Sequence, residues 1–243
     1  MIEWLTEILE GVGFRKVSEQ LDFLLDPSNI PFAIWETLYA PALAAVFAYV
    51  IGLPLGILLV IGEEGGIKPL PKWVMRLLNT LINLLRSVPF LILMVMVFPL
   101  SRLILGTSIG TTATIVPLTV AAAPYVARLV EASLREIDRG VIEAAQSMGC
   151  STWQIVTKVM LPECKPSLLS GATNASITIL GYGAMAGNIG GGGLGAISLM
   201  RGHGRGQTLV LYVAVIILVV LVQIIQSVGT ALCIKTDKRI THK

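Results

Sequence analysis

The chain has 243 residues, 54% of them hydrophobic and 14% charged, with a formal net charge of +3. A soluble domain carries about 25% charged residues, so an ordinary soluble domain is excluded, and so small a net charge offers no sign of nucleic-acid binding. Several uncharged runs exceed the roughly 20 residues that cross a bilayer as a helix, and the shorter alternating strands of a barrel are absent. The expected fold is an all-α polytopic membrane protein with five transmembrane helices.

Residues 1–34 form a separate N-terminal segment without a signal-peptide cleavage pattern. Ile2, Leu5, Ile8, Leu9 and Val12 recur at helical spacing among Glu3, Glu7 and Glu10, which reads either as an amphipathic surface helix or as a loose tail. The membrane domain is placed at 35–235, and 236–243 form a tail. The first span covers about 37–61 and carries Gly52, Pro54 and Gly56, followed by a turn-rich loop from Glu63 to Lys72. The second span is interrupted: Asn79 and Asn83 precede Arg86, Ser87 and Pro89, and Phe90 to Leu100 come after them. Arg86 reads either as facing the bundle or as snorkelling to the interface. After a short loop from Arg102 to Gly110, the third span, about 111–129, contains Pro117 and Pro124 and runs on as helix past Arg128, Glu131 and Arg135, with a break at Asp138 and Gly140.

Residues 143–162 differ in character from the lipid-soluble stretches around them. The spacing predicts a helix from Val141 to Met148, a stop at Gly149, and a second helix that Ser151 caps with Gln154 in a capping box. Trp153, Val156 and Met160 form its apolar stripe, and Pro162 ends it.

The fourth span begins after Pro166 and is the least lipid-like. Ser170, Asn174, Thr178, Gly181, Met185 and Asn188 recur every three or four residues, so they share one face. That face reads as the lining of a translocation path or as polar packing against another helix. The span ends in the glycine run 190–193, which at membrane depth must be buried in protein or line a cavity. Gly183 and Gly187, with three residues between them, suit close helix contact. A basic loop with Arg201, His203 and Arg205 leads to the fifth span, about 208–234.

With the 143–162 side cytoplasmic, thirteen of the eighteen Lys and Arg residues lie inside. This obeys the positive-inside rule and places the N-terminus outside and the C-terminus in the cytoplasm. Cys150, Cys164 and Cys233 then fall on the reducing side and are expected as free thiols.

No chemistry of the chain's own is legible. There is no P-loop, no nucleophile–base set, no cofactor motif and no metal-ligand spacing around His203 or His242. The interiors of spans one, four and five carry no charge, unlike an ion-driven transporter, and a scaffold has no use for the polar fourth span. The driving energy is expected from another subunit, so the chain is not itself an enzyme.

Glu143-Ala144-Ala145, three residues, Gly149, nine residues, Val159 and then Leu161-Pro162 resembles the EAA loop of ABC-importer permeases. Val159 stands where that family usually has Ile. Further stretches are similar to the methionine-uptake permeases: Arg86-Ser87-Val88-Pro89-Phe90, Pro124-Tyr125-Val126-Ala127-Arg128, Gly181-Tyr182-Gly183-Ala184-Met185 and Gly192-Gly193-Leu194-Gly195. The resemblance covers roughly 35–235. It implies a multi-pass permease of a prokaryotic cell membrane, a homodimer with a pore at its centre, and a methionine cargo. It also implies two ABC ATPase subunits that bind ATP-Mg and an extracellular binding protein, either periplasmic or a lipoprotein. Glu143, Ala144, Ala145, Gly149, Val159, Leu161 and Pro162 would couple the ATPase to the membrane domain. The same machinery carrying another small amino acid or a peptide is the alternative.

Overall fold

The computed structural model describes residues 17–237, and all regular structure among them is helical. The long elements are α1 (Val17–Leu25), α2 (Ile30–Ile61), α3 (Lys72–Ser87), α4 (Phe90–Leu105), α5 (Ile115–Arg135), α6 (Arg139–Ser147), α7 (Lys165–Ala186) and α8 (Thr208–Thr236). The amphipathic pattern over Ile2 to Val12 and the tail 238–243 lie outside the described residues.

Among the described residues, three helical stretches are long and apolar enough to cross a membrane: α2, Thr112–Arg135 and α8. The pair α3 and α4, bent by 111° at Val88 and Pro89, makes a fourth if it counts as one span. Pro89 disfavours the helical conformation for Val88, whose ψ of 128° is extended. The expected fourth span is α7. Its 22 residues reach about 33 Å, but Ser170, Thr173, Asn174, Ser176 and Thr178 hold its composition short of an apolar span. The first span is longer than expected: α2 starts at Ile30, so the 34/35 division falls within it.

The chain divides into two compact units. The described part of the first holds 17–44, 94–118 and 178–224. Its core packs Ala33, Leu194 and Ala214 with Ile34, Ile197 and Leu218 around them. In the glycine run, Gly190, Gly191 and Gly192 are half-buried. Gly187, Gly193 and Gly195 are buried. A Cβ on Gly187 would strike the Ala196 backbone, and one on Gly195 the Ala184 carbonyl. Gly183 lets α7 lie against Pro41, whose Cγ is 2.8 Å from where a Cβ would stand.

Two stretches whose role the sequence left open meet here. Gln20 of α1 is wholly buried, and its Oε1 accepts from the backbone N–H groups of Leu209 at 2.9 Å and Val210 at 3.3 Å. These are first-turn donors of α8 with no partner inside the helix, so a side chain from α1 caps it. The Arg201 guanidinium stacks 3.8 Å from the Phe23 ring centroid. Gln20→Ala is expected to cost about 1–2 kcal/mol, the range for a lost N-cap. It should lower the thermal midpoint of the detergent-solubilised chain, and an unchanged midpoint would show that the cap is idle.

The second unit holds 45–93, 119–177 and the described part of 225–243. Its core joins Leu59, Ile82 and Ala127. Gly52 and Gly56 let α2 approach α5: a Cβ on either would stand within 2.8 Å of Val126 or Val130 side-chain atoms. Gly229 of α8 likewise leaves room for the Thr173 side chain of α7.

Candidate functional site

The expected coupling loop is two short helices with a hinge. Asp138 is the N-cap of α6, its Oδ1 accepting from the Gly140 N–H at 2.6 Å, so α6 begins two residues before Val141 and Gly140 lies within it. At the other end the Cys150 N–H donates to the Ala145 carbonyl and the Gly149 N–H to the Gln146 carbonyl. With Gly149 at φ +75° this is a Schellman stop. Ser151 then opens the second helix with the expected capping box, Gln154 Oε1 accepting from the Ser151 N–H at 2.8 Å.

The second helix departs from the sequence pattern. Thr152–Gln154 is α-helical, Ile155–Met160 is π-helical, and Leu161–Glu163 is α-helical again. The wider turn brings Ile155 to the buried face with Val156 and Met160, while Trp153 is 75% exposed. Pro162 does not end the helix, which continues through Glu163 to the turn at Cys164. Proline lacks an N–H and its ring crowds the carbonyl one turn before it; Pro162 stands in the first turn of the short α-helical segment Leu161–Glu163, directly after the wider π-helical turn.

The coupling residues divide by exposure. Ala145 is buried and anchors α6, whereas Glu143, Ala144, Gly149 and Pro162 are exposed, and Val159 and Leu161 are half-buried. Around them stand Met148, 76% exposed, and Trp153, both large apolar side chains on a polar loop. A cleft of about 220 Å³ opens beside Glu143 and Gln146, with Glu63, Gly66 and Met160 on its other walls. Cys150, Cys164 and Cys233 are free thiols. Burial pushes the Cys164 thiol up to about 11, so it stays protonated and inert at neutral pH.

The expected path face of α7 is its open face. In the second unit Ser170 and Asn174 are exposed. In the first unit Met185 and Asn188 are exposed, Thr178 and Gly181 are half-buried, and nothing lies within 4 Å of a Cβ built on Gly181. Leu180 is buried and Ile177 half-buried. Hydroxyl and amide groups on an open helix face are costly against lipid, so this face needs water or a protein partner.

A polar network in the second unit was not read from the sequence. Arg128 donates to Glu131 at 2.6 Å, Asn79 Oδ1 at 2.8 Å and Asn83 Oδ1 at 2.9 Å. Arg135 donates to Glu63 at 2.6 Å and Glu131 at 3.0 Å. The network ties α3 and the loop after α2 to α5. Arg128, Glu131 and Arg135 at three- and four-residue spacing were the available signal; Asn79 and Asn83, one turn apart, were the other half. Arg86 is exposed and makes no hydrogen bond or ion pair among the described residues.

Comparison with known proteins agrees with this architecture. Residues 52–232 match the family described as the binding-protein-dependent transport system inner membrane component. The chain is 47% identical over 218 residues to a probable D-methionine transport system permease protein MetI of Vibrio cholerae, covering 89% of this chain and 96% of that one. A protein of the same description from Pasteurella multocida is 46% identical over 204 residues, 84% and 94% of the two chains. Among solved structures, a chain of the inward-facing MetNI methionine ABC transporter matches with a TM-score of 0.82 and 44% identity, covering 84% of this chain and 94% of that one. With helices apolar enough to span, a two-helix loop built around Gly149 and a family match across most of its length, the chain is a multi-pass membrane protein that belongs to the binding-protein-dependent transport system inner membrane components.

Proposed function

We propose that this chain is the membrane permease of an ATP-driven methionine importer. The observation that carries the reading is the 47% identity to a D-methionine permease over nearly all of both chains. ATP-Mg is bound and hydrolysed by a separate ATPase subunit. Two copies of the permease pair around a central pore, as two ATPase subunits closing together need two docking loops. An extracellular binding protein delivers the cargo. In this reading 35–235 forms the membrane domain with five spans, α7 counting as the fourth because its open polar face lines the pore and meets the second copy. The N-terminus lies outside and the C-terminus in the cytoplasm, as the charge distribution favours.

Glu143, Ala144, Gly149 and Pro162, with Met148 and Trp153 beside them, face the ATPase subunit. Ala145, Val159 and Leu161 seat the loop on the permease. Ser170, Asn174, Thr178, Gly181, Met185 and Asn188 line the path. Weakly polar groups pass a zwitterion without holding it, and the adaptable thioether of Met185 closes against water.

Uptake of labelled L- and D-methionine in cells expressing the transporter, with other amino acids in excess, tests the cargo; competition by another amino acid and not by methionine would overturn it. For the path, cysteines are placed singly in a background with Cys150, Cys164 and Cys233 replaced. Those at 174, 178, 181 and 185 should react with small water-soluble thiol reagents, and those at 177 and 180 should not. Equal labelling of both sets, or none at the first, would exclude this path.

A further inference from the structure

We infer that Glu36 is a positioning residue for transport: with Thr37 and Thr111 it clamps the glycine turn that fixes the outer end of the path-lining face. The inference rests on the path reading above. All of its groups lie in the first unit.

Residues 190–193 are four successive glycines, and Gly190 and Gly193 have φ of +104° and +82°. Such a turn is intrinsically loose and has no side chain with which to pin itself. Its backbone is held from outside. The Gly110 N–H donates to the Gly190 carbonyl at 2.8 Å, and the Gly191 N–H to the Ala186 carbonyl at 3.0 Å. The other two bonds go to side chains near the start of α2. The Gly193 N–H donates to Glu36 Oε2 at 2.8 Å, and the Leu194 N–H to Thr37 Oγ1 at 2.9 Å. Thr37 donates in turn to the Ala33 carbonyl at 2.7 Å, which fixes its hydroxyl as the acceptor for Leu194.

The second oxygen of Glu36, Oε1, accepts from the Thr111 hydroxyl. A carboxylate has acceptors only, and both of its neighbours here are donors. It also sits at the start of the continuous helical stretch 193–203, where backbone N–H groups favour a negative charge. Gly192 is closed in by the clamp, since a Cβ there would collide with both Glu36 and Thr111. Met185 and Asn188, the last members of the path face, stand immediately before this turn. The clamp that holds the turn therefore sets where they point.

The test uses the full transporter in proteoliposomes, with uptake velocity and KM measured separately. Glu36→Ala should lower Vmax by about tenfold or more, the scale of a lost charge-assisted bond pair, and leave KM unchanged. Glu36→Gln should recover much of it: its carbonyl still accepts from Gly193, and the Thr111 hydroxyl can turn to accept from its amide. Thr111→Val should lower Vmax in the same direction, and it carries the test if the alanine variant fails to assemble. In Glu36→Ala, thiol labelling of Met185→Cys should change while that of Asn174→Cys stays at the parent level. Parent Vmax in Glu36→Ala, a glutamine no better than alanine, or an equal change at both cysteines would overturn the inference. Should Met185→Cys be unreactive in every background, the path reading fails, and the clamp stands or falls on Vmax and the glutamine rescue.

Discussion

Gly149→Val is expected to abolish methionine uptake while the chain still inserts and accumulates at parent level. Gly149 has φ +75°, and nothing lies within 4 Å of a Cβ built on it. The substitution therefore meets no steric obstacle, and its whole effect is backbone strain. A β-branched residue held in the left-handed region costs of order 1–3 kcal/mol. The loop has a cheaper alternative, which is to give up the Schellman bonds from Gly149 and Cys150 and let the two short helices change angle. Glu143 and Ala144 on one helix and Trp153 on the other would then no longer present one surface. Co-purification of the ATPase subunit and uptake by intact cells check this, with Gly149→Asn as the control because asparagine tolerates the left-handed region. Parent transport by the valine variant would remove the loop from the coupling mechanism.

Arg128→Ala should destabilise the second unit by about 2–3 kcal/mol, as a partly buried guanidinium leaves behind a carboxylate and two amide carbonyls that it had satisfied. The side chain is 21% exposed and that of Glu131 12%, so water replaces the lost bonds only in part. Arg135→Ala should cost under about 1 kcal/mol, because its side chain is 48% exposed. Arg128→Lys should not restore stability: a single ammonium cannot span Asn79, Asn83 and Glu131 as the planar fork does. Thermal midpoints of the three detergent-solubilised variants decide the matter. Equal losses for Arg128→Ala and Arg135→Ala would mean that the network does not hold α3 to α5.

The features that the sequence conveyed were those written in local chemistry. Ser151 with Gln154, Gly149 after a polar helix, and the small and polar residues spaced along α7 each impose their structure within one or two turns. Features that depend on distant groups stayed hidden. Nothing beside Glu36 in the sequence signals that it meets a turn 157 residues away; only the fold brings the two together. Gln20 has no sequence signal at all, since capping α8 from α1 depends on packing between chain segments 189 residues apart. Arg128 reads in the sequence as one more inside charge; that Asn79 and Asn83 face it depends on the packing of α3 against α5. Hydropathy does not single out α7 because its hydroxyl and amide side chains lower its mean, and what faces those groups is not written in the helix itself.

The π-helical stretches Ile155–Met160 and Ile197–His203 interrupt helices that are α-helical before them, and the first gives way to α-helix again at Leu161. Each winds one residue more into its turn than an α-helix does. In engineering terms each is a place where one residue could be removed and the helix closed into ordinary α-turns. A one-residue deletion there is expected to keep Met160 and Leu161 facing as they do here, whereas a deletion in α5 would turn Arg128 away from Asn79 and Asn83 by about 100°. The two stretches thus mark where the fold should tolerate a shortened chain, one in the loop proposed to meet the ATPase and one in the loop next to α1.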